Sequence, residues 1–376
     1  MFKSYKYRIY PSKKQEELIE KHIGSCRFVY NLALETKKMA YGGNKINLSA
    51  FDLINQLPDL KKECLWLKEV NNESLQQSIL CLDNTYKKFY KKQSKFPKFK
   101  KKSNSGSFIN IQHIKLNKNK LFICKFKEGI KINAHRLIRG TIKRCTISRT
   151  PTGKYFASIL CDTGDIVLSK PPIKKKTTIG IDLGIKSFLV TSDGEVIDNP
   201  KYLHKVQYKL KYTQRKYSKY RGKRTKQKLA LLHEKVANQR NDFLQKTSTK
   251  LIRENQTICL EDLNIQGMAK NHHLAGSIQD AGWGMFVTML EYKAEWYGKN
   301  ILKIGRFEPS SKTCSHCGNI NQELTLKDRT WTCNSCGTIL DRDENAALNI
   351  KNFALKNLSV ERRLKNRDEL LALVRI

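Results

Sequence analysis

Acidic residues are scarce in this chain: 34 Asp and Glu stand against 72 Lys and Arg, so its 376 residues carry 72 − 34 = +38. That deficit excludes an ordinary charge-balanced surface and suits a polyanion held over many phosphates, which makes nucleic acid the default partner. Long apolar runs are missing too. Nothing approaches the roughly 18 apolar residues of a spanning helix, and Met1-Phe-Lys-Ser-Tyr-Lys-Tyr-Arg has no apolar signal core. The expectation is therefore no membrane partner and a cytoplasmic protein, associated with the nucleoid when bound to DNA. No G-x-x-x-x-G-K-[ST] loop occurs, which removes one class of nucleotide enzyme. The cysteines number eleven, four in paired CxxC spacing and seven scattered, which speaks against a disulfide framework and for reduced thiols plus a metal site.

What is present falls into modules. After a short opening strand, residues 1 to about 105 read mainly as helix, with apolar stripes at Leu18, Ile19, His22, Ile23, Cys26, Val29 and Tyr30 and at Leu75, Ile79, Leu82, Tyr86 and Phe89. The basic tract Lys95-Phe-Pro-Lys-Phe-Lys-Lys-Lys interleaves charge with aromatics that could stack on bases or on each other, and Lys95, Lys98, Lys100 and Lys101 are candidate phosphate contacts. From Phe108 to about Cys161 the pattern alternates, as an antiparallel β module does. Leu168-Ser-Lys-Pro-Pro-Ile-Lys-Lys-Lys reads as a linker, because successive prolines cannot continue a ladder. A new domain opens near Thr177. Residues 201 to 250 then hold sixteen Lys and Arg against Glu234 and Asp242 alone, with helical apolar spacing at Leu229, Leu232, Val236 and Phe243. Arg215, Lys216, Arg221, Arg224 and Arg240 join the nucleic-acid candidates. Trp283, Phe286, Leu290 and Ala294 mark a later helix and read as core.

Three acids have contexts that could bring them to one magnesium centre. Asp182 sits in Thr177-Thr-Ile-Gly-Ile-Asp-Leu-Gly, Glu261 ends Thr257-Ile-Cys-Leu-Glu, and Asp343 precedes the helical run Asn345-Ala-Ala-Leu-Asn-Ile. An RNase H-like nuclease needs carboxylates from separate elements to hold two metal ions on a scissile phosphate, one activating water and the other stabilising the leaving 3′ oxygen. Hard oxygen ligands favour two Mg²⁺, with Mn²⁺ able to substitute. Alternatives exist at each position. Asp182 could cap a turn at Gly184, or open the phosphate loop of an actin-like ATPase. Asp262 is the rival of Glu261, on the opposite strand face. Asp341 competes with Asp343, since either could cap the helix.

Cys314-Ser-His-Cys317 and Cys333-Asn-Ser-Cys336 give C-x₂-C-x₁₅-C-x₂-C, the spacing of one tetrahedral structural Zn²⁺. Four thiolates leave no open position. His316 reads as a surface residue, and Gly318 and Gly337 follow the two knuckles.

The order of these motifs resembles the TnpB family of transposon-encoded RNA-guided DNA endonucleases, relatives of the type V CRISPR effectors. The likeness runs through Tyr5-Lys-Tyr-Arg-Ile-Tyr-Pro-Ser, Phe96-Pro-Lys-Phe-Lys, Gly180-Ile-Asp-Leu-Gly, Leu260-Glu-Asp-Leu-Asn-Ile, Pro309-Ser-Ser-Lys-Thr-Cys-Ser-His-Cys-Gly and Asp341-Arg-Asp-Glu-Asn-Ala-Ala-Leu-Asn-Ile. It implies an α/β multidomain protein: a wedge β-barrel from 1–14 and 106–172, an inserted helical recognition domain at 15–105, and an RNase H-like RuvC nuclease domain from 173–311 and 338–356. A zinc ribbon at 312–337 interrupts the last, and 357–376 forms a C-terminal tail. It also implies the triad Asp182, Glu261 and Asp343, a guide RNA derived from the transposon end, and cleavage of double-stranded DNA beside a short target-adjacent motif. A catalytically silent RNA-guided regulator and an RNase H-like transposase are the competing functions.

Overall fold

The first strand, β1 (Phe2–Tyr10), buries Tyr7 and Ile9 and stops at Pro11-Ser12. Ser12 then caps α1 (Lys13–Asn44): its hydroxyl accepts from the Gln15 amide while the Gln15 side chain accepts from the Ser12 amide. In this computed structural model, which describes residues 1–103, 105–166, 168–325 and 327–373, with side chains to 359, the chain divides into two units, Met1–Ile166 and Val167–Ile376.

In the first unit α2 (Ala50–Asn55), α3 (Leu57–Glu63) and α4 (Asn72–Tyr90) follow α1, and the chain then forms β2 (Gly106–Asn110), β3 (Lys115–Asn117), β4 (Lys120–Ile123), β5 (Phe126–Asn133), β6 (Thr141–Arg149) and β7 (Tyr155–Asp162). All pairings are antiparallel, in the order β2-β6-β7-β1-β5-β4-β3, and no pairing joins β2 to β3 among the described residues. One apolar core runs from the sheet into α1 and α4. His22 belongs to it. Its ring lies 4.6 Å from that of Phe108, Nδ1 contacts the Leu18 carbonyl, and Nε2 accepts from the Asn71 amide. Burial pushes this imidazole down to about 4, so it is a neutral core residue.

The second unit is built on β8 (Thr178–Leu183), β9 (Ser187–Thr191) and β10 (Val196–Asp198), an antiparallel meander. The basic stretch folds as α5 (Tyr202–Tyr220) and α6 (Lys223–Glu254), after which β11 (Thr257–Glu261) returns parallel to β8. Then come α7 (Ile265–Met268), α8 (His272–Ala281), α9 (Trp283–Trp296) and β12 (Asn300–Ile304), parallel to β11; the sheet order is β10-β9-β8-β11-β12. A small hairpin, β13 (Thr330–Thr332) and β14 (Ile339–Asp341), leads into α10 (Arg342–Leu373). The helix takes in most of the C-terminal tail, whose last residues, 374–376, lie outside the described ones.

Helices α6, α8 and α9 cover one sheet face through Leu244, Leu251, Ile278, Trp283, Phe286 and Leu290. On the other face α10 packs Ile350 and Ala354 against Cys259 and Ile304. Gly180 makes that second contact close. A Cβ there would stand 2.1 Å from the Ala347 carbonyl oxygen, so only glycine lets α10 lie directly on β8. Among the described residues no helix is long and apolar enough to cross a membrane.

Candidate functional site

Asp182 and Glu261 come together through strand register. β8 and β11 run parallel with Gly180 level with Cys259, and Asp182 and Glu261 each lie two residues further along. Side chains two apart share a strand face, so both carboxylates project on the face that α10 covers. Asp343 reaches the same place from the helix. It precedes Ala347, the residue over Gly180, by four positions, an axial rise of about 6 Å. Asp182 lies beyond Gly180 by two strand residues, about 6.6 Å. Burial first, then the charges of Glu261 and Asp343, push the Asp182 carboxyl up to about 7; Arg342 offsets part of this. The Glu261 carboxyl is likewise raised by burial, against a 2.5 Å hydrogen bond donated by the Ser310 hydroxyl.

The competing acids have other partners. Asp262 pairs with Arg306 at 2.8 Å. Asp341 caps α10, its Oδ1 accepting from the Asp343 and Glu344 amides at 3.0 Å each. Asp343 itself is held by Arg342 at 2.9 Å and Arg329 at 3.2 Å. The three carboxylates are less tightly gathered than the four thiols described below, which form the one compact group of potential metal ligands among the described residues. Their chemistry nonetheless suits a hard cation: oxygen donors, one of them kept protonated near neutrality by burial and like charge, are relieved by a divalent ion.

Several residues that hold this site had no role in the sequence reading. Asn349 donates to the carbonyls of Ser310 and Thr313 at 2.7 and 2.6 Å, and Asn345 donates to the Thr313 carbonyl at 2.7 Å while accepting from the Ser315 amide at 2.8 Å. Both asparagines are buried. They fasten the segment that carries Ser310 to α10, and Ser310 in turn orients Glu261. The only sequence signal was two asparagines four apart on one helix face, with Ala346, Ala347 and Leu348 between them.

The ribbon's four sulfurs lie within 4.8 Å of one another. Cys314 to Cys336 is 3.7 Å and Cys317 to Cys333 is 3.6 Å. A zinc ion with four sulfurs at 2.3 Å in a tetrahedron spaces them about 3.8 Å apart, so the donor set fits that metal. Gly318 and Gly337 take φ of +81° and +71°, the left-handed turn that closes each knuckle. His316 is exposed, and Trp331, Leu324 and Leu340 pack around Cys314 and Cys333.

The basic candidates divide. Lys95, Lys98, Lys101, Arg215, Lys216, Arg221 and Arg224 are exposed. Lys100 is drawn over the Tyr30 ring at 3.8 Å, and Phe96 packs edge-on against Tyr86 and Phe89 rather than standing free. Arg240 is committed elsewhere. Its guanidinium binds the Asp280 carboxylate at 3.1 Å and carbonyl at 2.8 Å, while the same carboxylate accepts from the Leu203 amide, tying α6 to α8 and α5.

Fold and site together define a class: α/β proteins in which a five-stranded mixed sheet delivers carboxylates to one end, beside a cluster of four thiols that could hold a metal ion. Residues 158–272 match the family described as OrfB of IS605, probable transposase, residues 283–350 match the Cas12f1-like TNB domain, and residues 1–45 match a helix-turn-helix domain. That last stretch is one strand and one long helix here. The chain is 37% identical to "Putative RNA-guided DNA endonuclease" of Streptomyces pristinaespiralis, over 93% of this chain and 88% of that one. It is 29% identical to the InsQ protein of Escherichia coli K12, which bears the same description, over 92% and 91%. It is 24% identical to TnpB-like protein L79 of Acanthamoeba polyphaga mimivirus, over 94% and 73%. The fold resembles the protein of a cryo-EM Cas12f1-sgRNA-target DNA complex with a TM-score of 0.56 and 15% identity, covering 93% of this chain and 98% of that one. The chain belongs to the TnpB family.

Proposed function

We propose that this protein is an RNA-guided DNA endonuclease that cleaves double-stranded DNA next to a short target-adjacent motif. The observation that carries the reading is the convergence of Asp182, Glu261 and Asp343 from two strands and a helix, with Asp182 raised first by burial and then by the charges of the other two. In this reading Asp182, Glu261 and Asp343 are the catalytic residues, and they would hold two Mg²⁺ or, in substitution, Mn²⁺. Those ions, when bound, activate water and stabilise the leaving oxygen. Ser310 keeps Glu261 oriented. Arg342 and Arg329 hold Asp343 in position until a cation competes for it.

The first-unit strands, from 1–14 and 106–172, would serve as the wedge element around a helical recognition domain at 15–105. Residues 173–311 and 338–356 would be the RuvC nuclease domain, 312–337 the zinc ribbon with Cys314, Cys317, Cys333 and Cys336 as ligands, and 357–376 a tail. A guide RNA from the transposon end supplies sequence specificity by pairing, and Lys95, Lys98, Lys101, Arg215, Lys216, Arg221 and Arg224 contact backbone phosphate. The protein works in the cytoplasm on nucleoid DNA.

The test is to purify the protein co-expressed with its native flanking DNA, sequence the RNA that accompanies it, and challenge the complex with matching plasmid in Mg²⁺. Guide-dependent linearisation that disappears in Asp182→Ala, with RNA retained, is the expected result. Cutting retained by Asp182→Ala sinks the site. A second reading, a non-cleaving regulator, draws on the two arginines that already neutralise Asp343; it predicts a discrete RNA and tight target binding without cutting.

A further inference from the structure

One face of α5 is exposed, with no packing partner among the described residues. Leu210 and Thr213 are buried, with Val206 and Tyr217 half-buried beside them. At 100° per residue, the opposite pole of the helix falls on Lys205, Tyr208, Tyr212, Arg215 and Lys219, all exposed. Tyr208 is 86% exposed and Tyr212 60%. Neither ring touches another aromatic or a cation among the described residues, and α5 contains no acidic residue at all. Two large aromatics held in water between three cations form a surface open to a partner from outside the chain.

Geometry specifies the occupant. Tyrosines four apart on a helix have Cβ atoms about 5–6 Å from each other. Stacked bases repeat every 3.4 Å, so one base inserted between two rings needs about 7 Å, a spacing that small side-chain rotations supply. Duplex keeps its bases stacked inside and offers no face to such rings; a single strand does. The N-terminal end of α5 is fastened to the loop that follows β8. Asn199 donates to the carbonyl of Ile185, three residues past Asp182, and accepts from the amide of Lys201, which leads directly into α5. Ile185, Lys201 and His204 share a cavity of about 430 Å³ at that end. With 19 residues α5 is about 28 Å long.

We infer that the outer face of α5 is a stacking track for single-stranded DNA, in which Tyr208 and Tyr212 grip a base and Lys205, Arg215 and Lys219 hold the flanking phosphates of the strand entering the cleavage site. The identity of the strand rests on the nuclease reading above. The stacking chemistry does not.

The test uses the full-length protein with its co-purified RNA, an Asp182→Ala background to prevent cutting, and a fluorescein-labelled dA12 oligonucleotide read by anisotropy. Tyr208→Ala/Tyr212→Ala is expected to weaken binding roughly tenfold, Tyr208→Phe/Tyr212→Phe to leave it unchanged, and a 12-mer of abasic sites to bind both forms equally. Unchanged melting temperatures verify that these exposed positions leave the fold intact. Equal affinity of the alanine and parent proteins for dA12 overturns the proposal, and so does preferential binding of the matching rA12 or of duplex. Plasmid cleavage by the complex with Asp182 intact runs alongside. If it fails while the alanine and phenylalanine variants still separate, the nuclease reading falls and the track stands.

Discussion

Asp182 has a charge problem that the fold creates and its neighbours worsen. Its carboxyl is pushed up to about 7 from 3.8, by burial first and then by Glu261 and Asp343. Between those values the folded chain holds a proton that the unfolded chain releases, so this group withdraws stability as pH rises from about 4 to about 7. At 1.36 kcal/mol per unit the deficit is on the order of 1–4 kcal/mol above pH 7. Asp182→Asn removes it. The metal-free variant should therefore melt several degrees above the parent at pH 8 and level with it near pH 4, and Mg²⁺ should raise the parent's melting temperature more than the variant's. Scanning fluorimetry across pH checks this. A variant that melts lower at pH 8 means the carboxylate is satisfied by protein contacts, which would remove the electrostatic case for a cation there.

At the scale of elements, α10 joins the sheet, the ribbon loop and the acids, and Gly180 sets its distance. In Gly180→Ala a Cβ would meet the Ala347 carbonyl at 2.1 Å and Lys351 at 2.9 Å. Overpacking of this kind costs ~1–3 kcal/mol, and the helix must lift to accommodate it. We expect a lower melting temperature and a still larger loss of cutting, because Asp343 moves with the helix; chemical denaturation and plasmid cleavage separate the two effects. With zinc held by its four thiols as proposed, the ribbon would depend on that metal in the same way. Cys333→Ser should release about one zinc per chain, measured by atomic absorption, and lower the yield of folded protein. β8, β11, the α5–α6 stretch, α9 and the start of α10 were legible in the sequence because apolar runs and 3.6-residue periodicity survive the charge, whereas β12, α8 and the β13–β14 hairpin went unread. The tertiary uses of single polar residues were not legible either. A glycine beside an aspartate does not announce which helix crosses it. Nor does Arg240, one basic residue of sixteen between 201 and 250, announce that its partner is Asp280, forty positions away.

The whole molecule carries +38 with only 34 acidic residues to pair. Repulsion among unpaired cations opposes the compact state, and it is densest on α5 and α6. Salt should therefore act with opposite signs on the free and the loaded protein. Raising KCl from 0.1 to 0.5 M shortens the screening length from about 10 Å to under 5 Å, which relieves self-repulsion in the RNA-free chain. Bound RNA relieves the same repulsion by direct neutralisation, and salt weakens that contact through lost counterion release, with a log–log slope of about −0.7 per phosphate engaged. The RNA-free protein should melt several degrees higher at 0.5 M KCl, while the melting increment contributed by saturating RNA shrinks over the same range. If the free chain's melting temperature is flat in KCl, its cations are already balanced within the fold. The +38 would then describe composition rather than a surface poised for a polyanion, and the phosphate-contacting role of α5 and α6 would lose its energetic basis.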